Sequence, residues 1–294
     1  MVKVIEQGAY MNRVDKLPDG KFLAECSYLG TRYECSVVLY FDAREMKTEK
    51  AFYSVHRTPQ NDNLAEGENL SFCQIVILRK GEILELVGGP CTFAASKIIK
   101  TLPDYDGNGF IKELLLEDLR GINQAEIYML EEINIADPIE YEKKWLNEKV
   151  NYCRPYTGRM PGVYEWPNHV NSLNHYRTKN LYNKYKQYTL ISTGGDEATI
   201  SGTYQDSFHE MYAEMTYSLT DRMIIDFDMT MRRWPFAACF EMDHMASGLF
   251  IGKKIDDLTK KETGSLIGGS TGCFHLVDIV SDMAKAARDL KNIG

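Results

Sequence analysis

Hydrophobic and polar positions change period along this chain, and each change marks an element. Across 223–233 the two kinds alternate: Ile224, Asp226, Asp228 and Thr230 fall on one side, and Ile225, Phe227, Met229 and Met231 on the other. A period of two predicts a strand with one face on a core. From Leu276 the period lengthens. Leu276, Ile279, Val280, Met283, Ala284 and Ala287 recur at steps of three and four, which predicts a helix with one apolar stripe. The same spacing at Phe110, Leu114, Leu115, Leu119 and Ile122 predicts a helix over 109–130, and 141–150 reads as a further one.

The order of features occurs twice. Three strand-like runs at 19–30, 33–40 and 51–59 precede a Gly-Gly turn that opens a helix through Cys91. Runs at 195–206, 208–217 and 223–235 precede a similar turn that opens a helix through Cys273. In both sets the third run closes on Arg-x-Pro, at Arg57-Thr-Pro59 and Arg233-Trp-Pro235. Glycines before each helix suit a tight strand-to-helix entry. The expectation is an α+β fold: a tandem duplication of an antiparallel-strand plus helix unit forming one compact body. Residues 1–102 form a degenerate first copy, 103–172 a helical connection with a Tyr-rich arm, and 173–294 the second copy. The stretch 151–188, rich in Tyr, Asn, Pro and Arg, has little apolar periodicity and reads as an arm or lid.

Composition narrows the class. The 294 residues are 44% hydrophobic and 26% charged, which is ordinary globular composition. A net charge of −8 without a basic run offers no footprint for nucleic acid or an anionic membrane. No apolar run approaches the ~20 residues that span a bilayer, and the first residues lack the apolar core of a signal peptide. Seven scattered cysteines, an odd number, read as reduced thiols in a cytoplasmic protein.

The second copy resembles the bacterial family known as domain of unknown function 2889. The resemblance rests on Asn174-His-Tyr-Arg177, on Ala198-Thr-Ile-Ser-Gly-Thr-Tyr-Gln-Asp206, on Phe208-His-Glu-Met211, on the Pro235 to Cys239 segment, and on Gly272-Cys-Phe-His-Leu276. The first copy keeps Cys91 but has Phe93 where His275 falls, and no histidine in the place of His209. The family implies a fold and no activity.

Four chemical readings compete. His209, Cys239, Cys273 and His275 offer two imidazoles and two thiols, a donor set that suits tetrahedral zinc, but Cys-x-His lacks the spacing of a zinc knuckle. Cys273 at a helix start behind glycines could be an activated thiolate with His275 as its base; Cys91, kept without such a partner, points instead to packing. Asp104-Tyr-Asp-Gly-Asn-Gly109 looks like the start of a calcium loop, but Leu115 stands where the bidentate acid belongs. A solvated turn that starts the next helix accounts for it.

The fourth reading is acid–base chemistry without metal or organic cofactor. It places His175, His209, His275 and Glu210 as catalytic groups on one cavity. Arg177, Arg233, Tyr176, Tyr164 and Cys273 are the expected substrate contacts, with Tyr152 and Tyr156 in the same arm. The expected function is a lyase or isomerase acting on a small aromatic or polycyclic hydroxylated molecule. The alternatives are a non-catalytic ligand-binding or assembly protein and a metal-dependent hydrolase. A homodimer is a further expectation. Gly-x-Gly-x-x-Gly, Walker and His-Glu-x-x-His motifs are all missing from the sequence.

Overall fold

The computed structural model describes residues 3–57, 79–84, 93–106, 109–157, 177–192, 194–242 and 246–289. Among the described residues, nine strands form one sheet in the order β5-β4-β3-β2-β1-β6-β7-β8-β9. They are β1 (Lys3–Lys16), β2 (Phe22–Gly30), β3 (Glu34–Asp42), β4 (Lys47–Arg57), β5 (Arg79–Glu82), β6 (Tyr182–Ser192), β7 (Glu197–Asp206), β8 (Glu210–Ser218) and β9 (Ile224–Arg233). The longer helices are α1 (Phe93–Thr101), α2 (Phe110–Ala125), α3 (Pro138–Glu148), α4 (Lys260–Ile267) and α5 (Phe274–Asp289). No described helix is long and apolar enough to cross a membrane. The fold is α+β, as the alternating and helical periods predict.

The chain divides into two compact units. One contains 9–136 and 174–184; the other contains 1–8, 137–173 and 185–294. Strands β1 and β6 are each divided between them.

In the unit built on 9–136, β2 and β3 bury alternate residues, with Phe22, Ala24, Cys26 and Tyr28 facing the same way as Cys35, Val37, Leu39 and Phe41. That face is covered by α2, whose Leu114, Leu115 and Ile122 are buried. The helix begins where Asp106 accepts the amides of Phe110 at 3.0 Å and Ile111 at 3.2 Å. A carboxylate at a helix start satisfies orphan N–H groups and meets the positive end of the dipole. The side chain of Asp104 likewise accepts the Gly109 amide, and Leu115 is buried. The acidic residues of the suspected calcium loop therefore start a helix. Here α2, not the helix expected through Cys91, covers β2 and β3; Cys91 and the glycines before it lie outside the described residues.

In the other unit β7, β8 and β9 form an antiparallel meander covered by α5. All six residues of the expected stripe, Leu276 through Ala287, are buried. Contact is close at Gly202 of β7, where a β-carbon would stand 2.6 Å from Met283 Sδ. Lys186, buried on β6, reaches Asp278 at 3.0 Å and Asp282 at 2.7 Å on α5. Asp278 also pairs with Lys260 of α4 at 2.6 Å.

The alternation expected for β9 holds only in part. Phe227, Met229 and Met231 are buried, but Ile225 is 46% exposed and Ile224 is buried. The register shifts between Thr216 and Tyr217, which pair with Asp226 and Ile224 and skip Ile225. An extra residue in one strand reverses the inward set beyond it.

Candidate functional site

The hairpin between β7 and β8 is where polar groups gather. Asp206, the last residue of β7, turns its carboxylate back over the turn: Oδ1 accepts the amides of Phe208 at 2.7 Å and His209 at 2.6 Å. An aspartate bonded to amides two and three residues on builds a tight turn from its own side chain. The backbone closes it through Asp206 N to His209 O at 2.9 Å. Arg233 of β9 fixes the turn from outside, with its guanidinium donating to the carbonyls of Ser207, Asp206 and His209 at 2.9, 2.7 and 3.1 Å. A planar fork with fixed donors suits three carbonyls held in one place.

The turn orients the His209 ring. Its Nδ1 lies 3.1 Å from Asp206 Oδ1 and 3.3 Å from Oδ2, with Asp206 4% and His209 7% exposed. Tyr204, two residues back on the same buried face, donates its hydroxyl to Oδ2 at 3.0 Å. The third member comes from the first turn of α5. His275 packs against His209 with ring centroids 3.8 Å apart and planes tilted by 36°, and its Nε2 is 3.9 Å from Asp206 Oδ2. Tyr204 leans on His275 at 5.2 Å. Among the described residues, Asp206, His209 and His275 form the group whose ligand atoms all lie within 4.8 Å of one another.

Burial pushes the Asp206 carboxyl up, but the charge and hydrogen bond of His209, then His275 and the Phe208 amide, act the other way and hold it well below the usual carboxylate range. Asp206 is thus an anion inside the fold. An anion accepting from Nδ1 requires a hydrogen there, which leaves Nε2 of a neutral His209 as the basic nitrogen.

Cys273 precedes this helix turn, and the amides of His275 and Leu276 point to its sulfur. The thiolate-stabilising effect expected at a helix start is therefore present, but burial outweighs it and pushes the thiol up. The structure does not give Cys273 the character of an activated nucleophile.

The other expected site residues are scattered. Glu210 pairs with Gln205 and with Arg233, which puts it on the sheet face opposite Tyr204 and Asp206. Arg177 belongs to the other compact unit, where it donates to the carbonyls of Lys179, at 2.8 Å, and Asn180. His175, Tyr176 and Tyr164 lie outside the described residues. Of the arm tyrosines, Tyr152 packs on Phe274 at 4.9 Å, and Tyr156 takes a hydrogen bond from Trp145 Nε1 at 3.0 Å. Sequence reasoning passes over Asp206 and Tyr204 as chemical groups; the Asp-x-x-His spacing of 206–209 is the available signal.

Residues 193–289 match the model of a protein family described as "Protein of unknown function (DUF2889)". The match covers β7, β8, β9, α4 and α5, and with them Asp206, His209 and His275. The C-terminal resemblance is thereby established, and no part of the match falls on β1–β5. No curated protein and no solved structure matches the chain.

Proposed function

We propose that Asp206, His209 and His275 are the acid–base centre of a cytoplasmic small-molecule enzyme, a lyase or isomerase acting on a hydroxylated aromatic or polycyclic compound. The observation that carries this reading is the contact of His209 Nδ1 with the Asp206 carboxylate beside a second imidazole 3.8 Å away. A histidine oriented by a buried anion presents a lone pair in a fixed direction. One imidazole removes a proton from substrate carbon or hydroxyl. The other delivers a proton to the atom that gains the electron pair, or to a leaving oxygen. Phe274 and Tyr152, beside His275, supply aromatic surface for a ring substrate.

A cation-dependent hydrolase is the second reading, favoured by the clustering of three ligand atoms. Against it stands the saturation of Asp206, whose oxygens already accept two amides, the Tyr204 hydroxyl and His209 Nδ1.

The test works with a substrate class alone. The protein is incubated in D2O with a panel of hydroxylated aromatic and polycyclic ketones, and deuterium uptake or loss of water is followed by mass spectrometry. At least one compound is expected to react. His209→Gln should slow it at least about tenfold, since general acid–base groups contribute ~10²–10⁴-fold. Equal rates in variant and wild type would refute the reading. Dependence on an added divalent cation would install the hydrolase reading, and binding without exchange the non-catalytic one.

A further inference from the structure

In the unit built on 9–136, α2 meets β1 through a buried polar contact. Asn12 of β1 and Asp118 of α2 are both buried, and Asn12 Nδ2 donates to Asp118 Oδ1 at 2.7 Å. The amide fits there because residue 121, one turn further along α2, is glycine: a β-carbon on Gly121 would stand 2.2 Å from Asn12 Oδ1. The contact leaves two acceptors over. Asp118 Oδ2 and Asn12 Oδ1 are buried and have no hydrogen-bond partner. A buried acceptor without a donor costs free energy, and a buried carboxylate without a cation costs more. Among the described residues Asp118 makes no ion pair. Lys184 of β6 and Arg120 of α2 both pair with its neighbour Glu117, Arg120 at 2.6 Å.

One proton accounts for this arrangement. Placed on Oδ2, it turns an orphaned acceptor into a donor, and Asn12 Oδ1 is the acceptor left for it. Acid and amide then exchange two hydrogen bonds, and the broad terminal torsions of both side chains let the second one form. We propose that Asp118 is a neutral carboxylic acid that clamps α2 to β1 through Asn12, and that loss of its proton releases the clamp. On release the Oδ2–H bond breaks, the proton passes to solvent and the electron pair stays on Oδ2. An anion then faces Asn12 Oδ1 with a single donor between them.

The surroundings disfavour that anion. Glu25 of β2, which pairs with Arg13, accepts from Asn12 Nδ2 through its backbone carbonyl at 3.5 Å. Tyr10 of β1 donates to Glu113 of α2 at 3.1 Å. On the face that α2 covers, β2 and β3 present the thiols of Cys26 and Cys35, and Lys97 and Lys100 of the adjoining α1 are exposed. Burial, and after it the Glu25 charge, push the Asp118 carboxyl well above the usual range against the Asn12 bond.

The native state thus keeps a proton that the unfolded chain gives up above ~3.9. The clamp contributes fully below that pH and is lost as pH rises toward the folded value, about tenfold in the folding constant per pH unit. Asp206, in the other compact unit, is held low and acts with the opposite sign. The clamp does not rest on the acid–base reading.

The test titrates full-length protein, labelled with carbon-13 at its aspartate carboxyls, by nuclear magnetic resonance. One aspartate signal should keep its protonated position at neutral pH and should vanish in Asp118→Asn. If every aspartate carboxyl of the wild-type protein is ionised at neutral pH, the proposal is overturned, whether or not the variant folds; a protonated signal that persists in the variant overturns it too. Asp118→Asn keeps a donor and an acceptor in place without a titrating proton. Measured by urea denaturation, its folding constant relative to wild type should rise about tenfold per pH unit above ~4. A ratio that stays level from there to neutral pH refutes the clamp.

Discussion

Gly272 stands against Ile267 so closely that a β-carbon on the glycine would overlap the Ile267 carbonyl oxygen. The same carbonyl accepts the Cys273 amide at 2.7 Å. This turn aims the first turn of α5, and with it His275, at Asp206. Gly272→Ala should therefore destabilise the protein by about 1–3 kcal/mol or more, as overpacking against rigid backbone does. Chemical denaturation measures the loss. In the folded fraction, the nuclear Overhauser contact between the His209 and His275 rings should weaken; a variant with both stability and contact unchanged would show that the turn relaxes freely.

Lys186 is the counter-charge for two carboxylates on α5. Lys186→Met leaves Asp278 and Asp282 without it in a buried place, and breaking such a pair costs about 3–5 kcal/mol. Lys260 still holds Asp278, so Asp282→Leu added to Lys186→Met should recover part of the loss. A double-mutant cycle by urea denaturation reads the coupling, and additivity of the two changes would contradict the pairing.

Acid should unfold the protein partly through Asp206. Its folded carboxyl ionises well below the usual range, so the native state holds fewer protons than the unfolded chain. The stabilisation is fully present above the unfolded value of ~3.9 and is lost as pH falls toward the folded one. Melting temperatures between pH 6 and 3 should fall less steeply for Asp206→Asn than for wild type, although the variant starts lower.

Alkali acts with the opposite sign through the thiols. Burial raises Cys153, Cys239 and Cys273 above the unfolded value of ~8.5. Their contribution is whole below that pH and declines as pH rises beyond it toward the folded values. Stability measured in metal-free buffer should drop between pH 8.5 and 10, and Cys239→Ala should flatten that limb.

The elements that rest on long regular periods are legible in the sequence. The stripe from Leu276 to Ala287 needs only the helix period, and it is buried as expected. Ile225 falls on the other side from the one its alternation predicts, because a bulge belongs to the pairing with β8, which the β9 sequence does not encode. His209 and His275 can be picked out by residue type, 66 positions apart, and the structure brings their rings into contact. Asp206 escapes a sequence reading because its role comes from a turn of four residues that folds its carboxylate over two amides. Arg233 is expected to face substrate, yet it serves three backbone carbonyls, a geometry visible only once β9 lies beside the hairpin.

Residues 3–8 of β1 belong to the same compact unit as 185–294, whereas the rest of that strand belongs to the unit containing 9–136. Residues 3–8 must therefore wait until the chain has been made to residue 185 and beyond before their neighbours on β6 exist. Synthesis at ~5–20 residues per second makes that a delay of about ten seconds or more. During the interval the segment is a strand edge without a partner, open to pairing with another nascent chain. An expression clone that starts at β7 would carry the family-matched residues but lack both β1 and β6, and its first strand would face water along an edge that the native sheet covers.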